Sequence, residues 1–167
     1  MRFVVVGDRG GFNLSGATLS STLGDAVATD ATVDFEPNPA VSVQLTPQVV
    51  WPLGETSVTV TVDNAESDLE AANVGFRASF PSNTAAATPW SSSSTCGGAL
   101  EEDDGGVVFN DGHIDVGFDC QVTWSWQASD VVGDDDIVVH DVVSSLGDSE
   151  EATATLTVAT PPTLTAA

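Results

Sequence analysis

The chain has 167 residues, 41% of them apolar, which is enough for one well-packed core. Against 25 Asp and Glu stand three Arg and no Lys, a formal charge of −22. Phosphate binding needs clustered Lys and Arg, so this balance argues against nucleic acid and anionic lipid as partners, and no apolar run is long enough for membrane insertion.

The N-terminal MRFVVVGDRGG offers an apolar patch only from Phe3 to Val6, too short for a signal peptide and without a small-residue cleavage site. Helical periodicity is absent beyond it. Val occurs 24 times and Thr 18, and strict apolar–polar alternation recurs instead. Asn13-Leu14-Ser15 is a glycosylation sequon, a triplet that also arises by chance. Trp51 sits beside Pro52, and Pro52-Leu53-Gly54 precedes a strand in which Val58, Val60 and Val62 face one way and Thr59 and Thr61 the other. Asp63-Asn64 ends that strand. In NVGFRASF the inward set is Val74, Phe76, Ala78 and Phe80.

Gly105-Gly106 marks a bend, and Asn110-Asp111-Gly112 reads as a hairpin turn between VVF and HIDVGF. The run CQVTWSWQ turns Cys120, Val122, Trp124 and Trp126 inward. Gly133-Asp134 marks another bend, and ATATLTV sets Ala154, Leu156 and Val158 against Thr153, Thr155 and Thr157. Half-buried strands separated by such turns define an all-β chain built as an immunoglobulin-like antiparallel β-sandwich with one wet face per sheet.

One phrase occurs twice. Ser20 to Phe35 (SSTLGDAVATDATVDF) lies over Val143 to Val158 (VSSLGDSEEATATLTV) without a gap, Ser21 on Ser144, a shift of 123 residues. Upstream, VVVGD (Val4 to Asp8) resembles DVVGD (Asp130 to Asp134), with three residues inserted before the register is reached. The phrases are followed by EPNPA and ATPPT, matching linkers stiffened by Pro. A period near 120 residues suits a whole sandwich domain rather than a solenoid unit. The expected organisation is therefore the last strands of a preceding repeat over 1–36, a linker over 37–42, a complete sandwich over 43–160, and a further linker over 161–167. The competing reading is coincidence among Thr- and Ala-rich strands.

In order, PLGETSVTVTVDN, AANVGFRASFP, STCGG, CQVTWSW and ATATLTV resemble the conserved-repeat domain of bacterial and archaeal surface proteins, the family labelled domain of unknown function eleven, with its Cys-containing relatives. The resemblance covers about residues 40–160. It implies an immunoglobulin-like fold, tandem occurrence on secreted or cell-surface proteins, and a structural role. Trp124 and Trp126, where aliphatic residues are usual, and the acidic EEDDGG insert depart from the family pattern.

The two cysteines admit two readings. Cys120 opens an inward-facing strand and Cys96 lies in the polar SSSSTCGG loop before it, so a disulfide is expected, and with it an oxidising, extracellular or cell-surface location. The alternative is two independent thiols. Neither His113 nor His140 falls at zinc-finger spacing. The acid clusters Glu101-Glu102-Asp103-Asp104 and Asp134-Asp135-Asp136 are candidate Ca²⁺ ligands, but neither follows the Ca²⁺-loop pattern, and consecutive acids in a strand point to opposite faces. Solvated turns are the simpler reading, and no cofactor is expected. Trp51 and Trp90 are candidates for sugar stacking, against the alternative of packing at the ends of the sandwich.

No G-x-S-x-G, H-E-x-x-H or Walker pattern occurs, so no catalytic residue is nominated and an enzyme is not expected. A non-catalytic spacer repeat is the leading expectation, with neighbouring repeats of the same chain as its partners. An adhesive or carbohydrate-binding module, and a filament subunit self-associating by strand complementation, are the alternatives.

Overall fold

The computed structural model describes the backbone of residues 11–14, 18–21, 24–27 and 31–34, and in full residues 36–81, 84–88, 90–103 and 105–161. Phe3 to Val6, Ser15, Phe35, Asp104 and the last six residues lie outside the described residues. The described chain is all strand and turn. Its first part is a hairpin in which β1 (Gly11–Leu14) pairs antiparallel with β4 (Ala31–Asp34), and β2 (Thr18–Ser21) with β3 (Gly24–Val27). Both ladders keep one register, closing on the pair Ser21 and Gly24.

The sandwich proper follows as β5 (Ala40–Thr46), β6 (Val49–Val50), β7 (Glu55–Asp63), β8 (Ala71–Ser79), β9 (Ala85–Ala86), β10 (Ser92–Ser94), β11 (Gly97–Asp103), β12 (Gly106–Ile114), β13 (Asp119–Gln127), β14 (Gly133–Val143) and β15 (Ala152–Val158). One sheet has the order β10-β13-β7-β5, with β9 also on β13; the other has the order β11-β12-β8-β14-β15-β6. Pairing is antiparallel except for β6 on β15, which run parallel. That exception arises because the chain leaves the first sheet after β5 and re-enters at the edge of the second as β6. The chain changes sheet again at later connections, among them the short one between β10 and β11.

Alternation explains the core. Val58, Val60 and Val62 of β7 and Val122, Trp124 and Trp126 of β13 point inward from the first sheet and are buried. They meet Val74, Phe76 and Ala78 of β8, Phe109 of β12, Ile137 and Val139 of β14, and Leu156 of β15. Phe76 stacks on Phe109 with ring centroids 5.3 Å apart and tilts against Trp124 across the sandwich at 6.4 Å. Each such fully buried side chain contributes roughly 1.5–3 kcal/mol of transfer free energy before the entropy of ordering it is subtracted.

The long strands all run between two ends. At the leading end, where the chain arrives, lie Ala40, Asp63 and Asp119, joined in one row of the first sheet. At the trailing end β15 finishes, with Val158 paired to Gly133 and Val50, and the Ala159 N–H donating to the Val50 carbonyl. The segment before β5 is tied down. Ser67 Oγ and the Asp68 N–H both donate to the Glu36 carboxylate (3.2 and 3.0 Å), Asn38 Nδ2 donates to the Asp148 carbonyl, and Ser149 Oγ donates to that of Pro39, which is buried. β5 begins at Ala40, inside the span read from sequence as linker.

The register of the N-terminal hairpin recurs at the end of the sandwich. Gly11 with Asp34, Phe12 with Val33, Asn13 with Thr32 and Leu14 with Ala31 correspond, each raised by 123, to Asp134 with Thr157, Asp135 with Leu156, Asp136 with Thr155 and Ile137 with Ala154. The correspondence extends to the turn. Leu19 with Ala26 becomes Val142 with Ser149, whose N–H donates to the Val142 carbonyl at 2.8 Å. Ser21 with Gly24 becomes Ser144 with Gly147, which exchange N–H···O bonds of 3.1 and 3.2 Å.

One turn is displaced from its sequence-based position. β12 runs straight through Asn110-Asp111-Gly112, and its register against β8 shifts between Phe109 and Gly112. Asn110 and Asp111 form a bulge, with Asp111 at φ 60°. Asp tolerates the left-handed region, so the same residues serve a bulge as readily as a hairpin. The tight turn that follows β12 instead uses Val116 and Gly117 and carries the chain across to β13 in the other sheet, with the Phe118 N–H donating to the Asp115 carbonyl and Gly117 at φ 76°.

Candidate functional site

Cys96 lies where the chain changes sheet between β10 and β11, and is bonded to Cys120 of β13, 24 residues on, with Cα atoms 5.0 Å apart. Both are buried. Backbone bonds surround the bridge: the Thr95 N–H donates to the Gln121 carbonyl at 2.8 Å and the His113 N–H to that of Cys96 at 2.8 Å. The disulfide thus fastens the point where the chain passes from one sheet to the other.

The four tryptophans separate into core and surface. Trp124 and Trp126 are buried, Trp126 stacked on Phe80 at 6.2 Å with an interplanar angle of 12°, so neither offers a face to a ligand. No partner accepts either indole N–H among the described residues, a cost of about 1–3 kcal/mol each that aromatic burial outweighs. Trp90 packs against the core, whereas Trp51, in the turn before β7, is 51% exposed. A pair of exposed rings for sugar stacking is not assembled from them.

His113 stands at the leading end, with Nε2 3.2 Å from Asp115 Oδ1 and 3.9 Å from Glu70 Oε2. His140, on the outer face of the second sheet, joins a chain that sequence patterns did not reveal. Its Nε2 is 2.7 Å from Ser79 Oγ and its Nδ1 3.1 Å from Asp141 Oδ2. The order matches a Ser-His-Asp relay, but the recess beside it measures about 60 Å³, well below the roughly 300–1,000 Å³ of small-molecule sites. Ser79 lies exposed in a regular ladder between Gly106 and Val138, not on a sharp turn that would present a nucleophile.

The acid clusters are spread along strand faces. Thr157 Oγ1 donates to Asp134 (2.9 Å) and Thr155 Oγ1 to Asp136 (2.6 Å) on the outer surface, while Asp135 accepts from the Ser129 N–H at 3.3 Å. Asp103 pairs with Arg77 at 2.9 Å. Among the described residues no three or more His, Cys, Asp or Glu side chains converge as metal ligands. The outer face of the first sheet is different in kind. Ser57, Thr59 and Thr61 of β7 lie beside Ser125, Thr123 and Gln121 of β13, with Thr46, Gln44 and Ser42 of β5 on the other side. This hydroxyl and amide surface holds a shallow recess of about 430 Å³, with Glu55 among its lining residues. Its signal was present in the strict Ser/Thr alternation, which sequence reading used only to orient the strands.

Two packed sheets of mainly antiparallel strands, with a disulfide where the chain passes between them, define an immunoglobulin-like β-sandwich. The sequence pattern described as Domain of unknown function (DUF7933) matches residues 39–158, and the chain belongs to that family. The match does not extend to the conserved-repeat family named from the motifs.

Among solved structures the chain is similar to the cohesin module of a family 33 glycoside hydrolase from Clostridium perfringens (TM-score 0.58, 9% identity, 74% of this chain and 98% of that one). It is also similar to CaCohA2 from Clostridium acetobutylicum (TM-score 0.52, 11% identity, 73% and 92%). A third is BslA, a bacterial hydrophobin (TM-score 0.50, 16% identity, 77% and 98%). At these identities the likeness is one of fold. No curated protein matches the sequence.

Proposed function

We propose that the chain is a stretch of a tandem array of non-catalytic structural units belonging to a secreted or cell-surface protein, related to the conserved-repeat family of such proteins. The observation that carries this reading is the hairpin of residues 11–34, which has the register of β14 and β15, pair for pair, through the closing Ser–Gly pair. A hairpin that ends one sandwich, followed at once by a complete sandwich, is what a boundary between two repeats contains.

The disulfide supports an oxidising compartment, and no helix among the described residues is long and apolar enough to cross a membrane. The acidic surface suits a solvated spacer. On this reading β1 to β4 owe their partners to a unit further upstream, and the unit beginning at Glu36 folds alone. Removing residues 1–35, which leaves the Glu36 contacts in place, is expected to leave the thermal midpoint and cooperativity of the remaining unit unchanged by calorimetry. A deletion that abolishes the cooperative transition would place the hairpin in the core and overturn the tandem reading.

A further inference from the structure

Among the described residues, the large apolar side chains left exposed collect at the two ends of the sandwich. At the trailing end, Trp51 and Leu53 lie in the turn before β7, and Val131 and Val132 in the loop before β14. Backbone hydrogen bonds hold these loops together, from the Leu53 N–H to the Ser129 carbonyl (3.0 Å) and from the Ala128 N–H to the Gly54 carbonyl (2.9 Å). At the leading end, Leu69, Val116 and Phe118 are exposed, Phe118 by 63%. Asn64 unites them, donating its backbone N–H to the Phe118 carbonyl (2.9 Å) and its Nδ2 to the Leu69 carbonyl (2.8 Å). Beside Phe118 a recess of about 380 Å³ runs along the buried disulfide and Ile114.

These ends are where the chain arrives and departs. Only residues 35–39 separate β4 from β5, a span of at most about 20 Å when fully extended. Pro37 and Pro39 stiffen it, and Glu36, Asn38 and Pro39 are fastened to the loops beside Leu69 and Leu146. A unit preceding this one is therefore held with its trailing end against this unit's leading end. The Val131-Val132 pair of the trailing tip also recurs in sequence as Val5-Val6 of the upstream copy.

We propose that the trailing tip of each unit, centred on Trp51, Leu53 and the Val131-Val132 pair, docks on the leading end of the next unit at Leu69, Val116 and Phe118, making the array a stacked rod. The inference rests on the tandem reading. The contact is heterologous, one patch meeting a different patch, and so propagates without closing. Asp130 and Asp134 flank one patch and Glu70, Asp115 and Asp119 the other, so like charges oppose the contact until salt screens them. Within an array a short linker supplies an effective concentration of about millimolar, which makes a weak contact sufficient.

The test uses the full 167-residue chain, which carries only the closing hairpin of a preceding unit, by analytical ultracentrifugation near millimolar concentration in molar NaCl. The unmodified chain is expected to form species beyond the dimer, less so at low salt. Trp51→Ser removes the trailing patch and Phe118→Ser the leading patch. Each variant alone is expected to stay monomeric, while an equimolar mixture forms dimers and nothing larger, because one intact pair of faces remains. Val132→Ser and Val116→Ser, at exposed positions, are expected to repeat the pattern, which guards against a local effect of either aromatic ring. An unmodified chain that stays monomeric throughout, or a single variant that still associates alone, overturns the docking. The tandem reading fails separately, through loss of cooperative unfolding on removal of residues 1–35.

Discussion

Cys96 and Cys120 close a loop of 24 residues in sequence separation, and that length sets what the bond contributes. Restricting the unfolded chain by a loop of this size stabilises the fold by about 3–4 kcal/mol. Replacing both with alanine is expected to lower stability by that amount, read as a fall in the urea midpoint. Intact mass of the unreduced protein should show no alkylatable thiol. The buried tryptophans show a different residue-scale balance. Trp124 and Trp126 lie inward on β13 as the alternation of CQVTWSWQ indicates, yet their unpartnered N–H groups could not be read from sequence, because hydrogen bonding inside a core depends on the facing sheet. The Ser79–His140–Asp141 chain was equally hidden. Ser79 and His140 are brought together by the β8–β14 register, which no local pattern encodes.

Among elements, β7, β13 and β15 were legible because each alternates cleanly and buries one face, and β8 was legible through the inward set Val74, Phe76 and Ala78. β12 was not. Its bulge carries the same Asn-Asp-Gly chemistry as a hairpin turn, while the real turn contains Val116 and Phe118, whose apolar side chains mimic strand. The bulge is held from the β11 side by Gly98. A Cβ there would sit 2.8 Å from the Phe109 ring and 2.9 Å from the Gly112 nitrogen, and its φ is +66°. Gly98→Ala is therefore expected to cost about 2–4 kcal/mol, joining left-handed strain to overpacking. Gly97, at φ +67° with open space around it, isolates the first contribution, and Gly97→Ala is expected to cost about 1–2 kcal/mol. Equal losses at both sites, measured by denaturant unfolding, would refute the close packing of the bulge. The strands of β1 to β4 were legible for another reason, the phrase that residues 20–35 share with residues 143–158, whereas the exposed apolar residues of the loops gave no such signal, since they acquire meaning only when the fold gathers them at one end.

For the whole molecule, charge dominates. Of the three arginines only Arg77 lies among the described residues, and its pair with Asp103 is half-exposed, so it offsets little of the −22. Carboxylates on a unit of this size repel one another within the Debye length of about 10 Å at 0.1 M salt. The melting temperature is expected to climb from low to molar NaCl, with CaCl2 at equal ionic strength giving a similar rise. A flat salt response would show that carboxylate spacing already relieves the repulsion, and a much larger effect of CaCl2 would mark a bound cation.

That the chain enters β5 at one end of the sandwich and leaves β15 at the other has a mechanical consequence. A protein anchored at one terminus and pulled at the other takes up tension in β5 at Ala40 and in β15 at Val158. Both strands lie along the line of force, so the ladders β5–β7 and β14–β15 are loaded in shear and their hydrogen bonds resist together rather than parting one by one. The bridge between Cys96 and Cys120 withholds its enclosed segment from extension, about 80 Å of slack at full stretch. A chain of such units would yield in steps, each shorter than its contour length allows, and would hold its span under drag until a whole sandwich gives way.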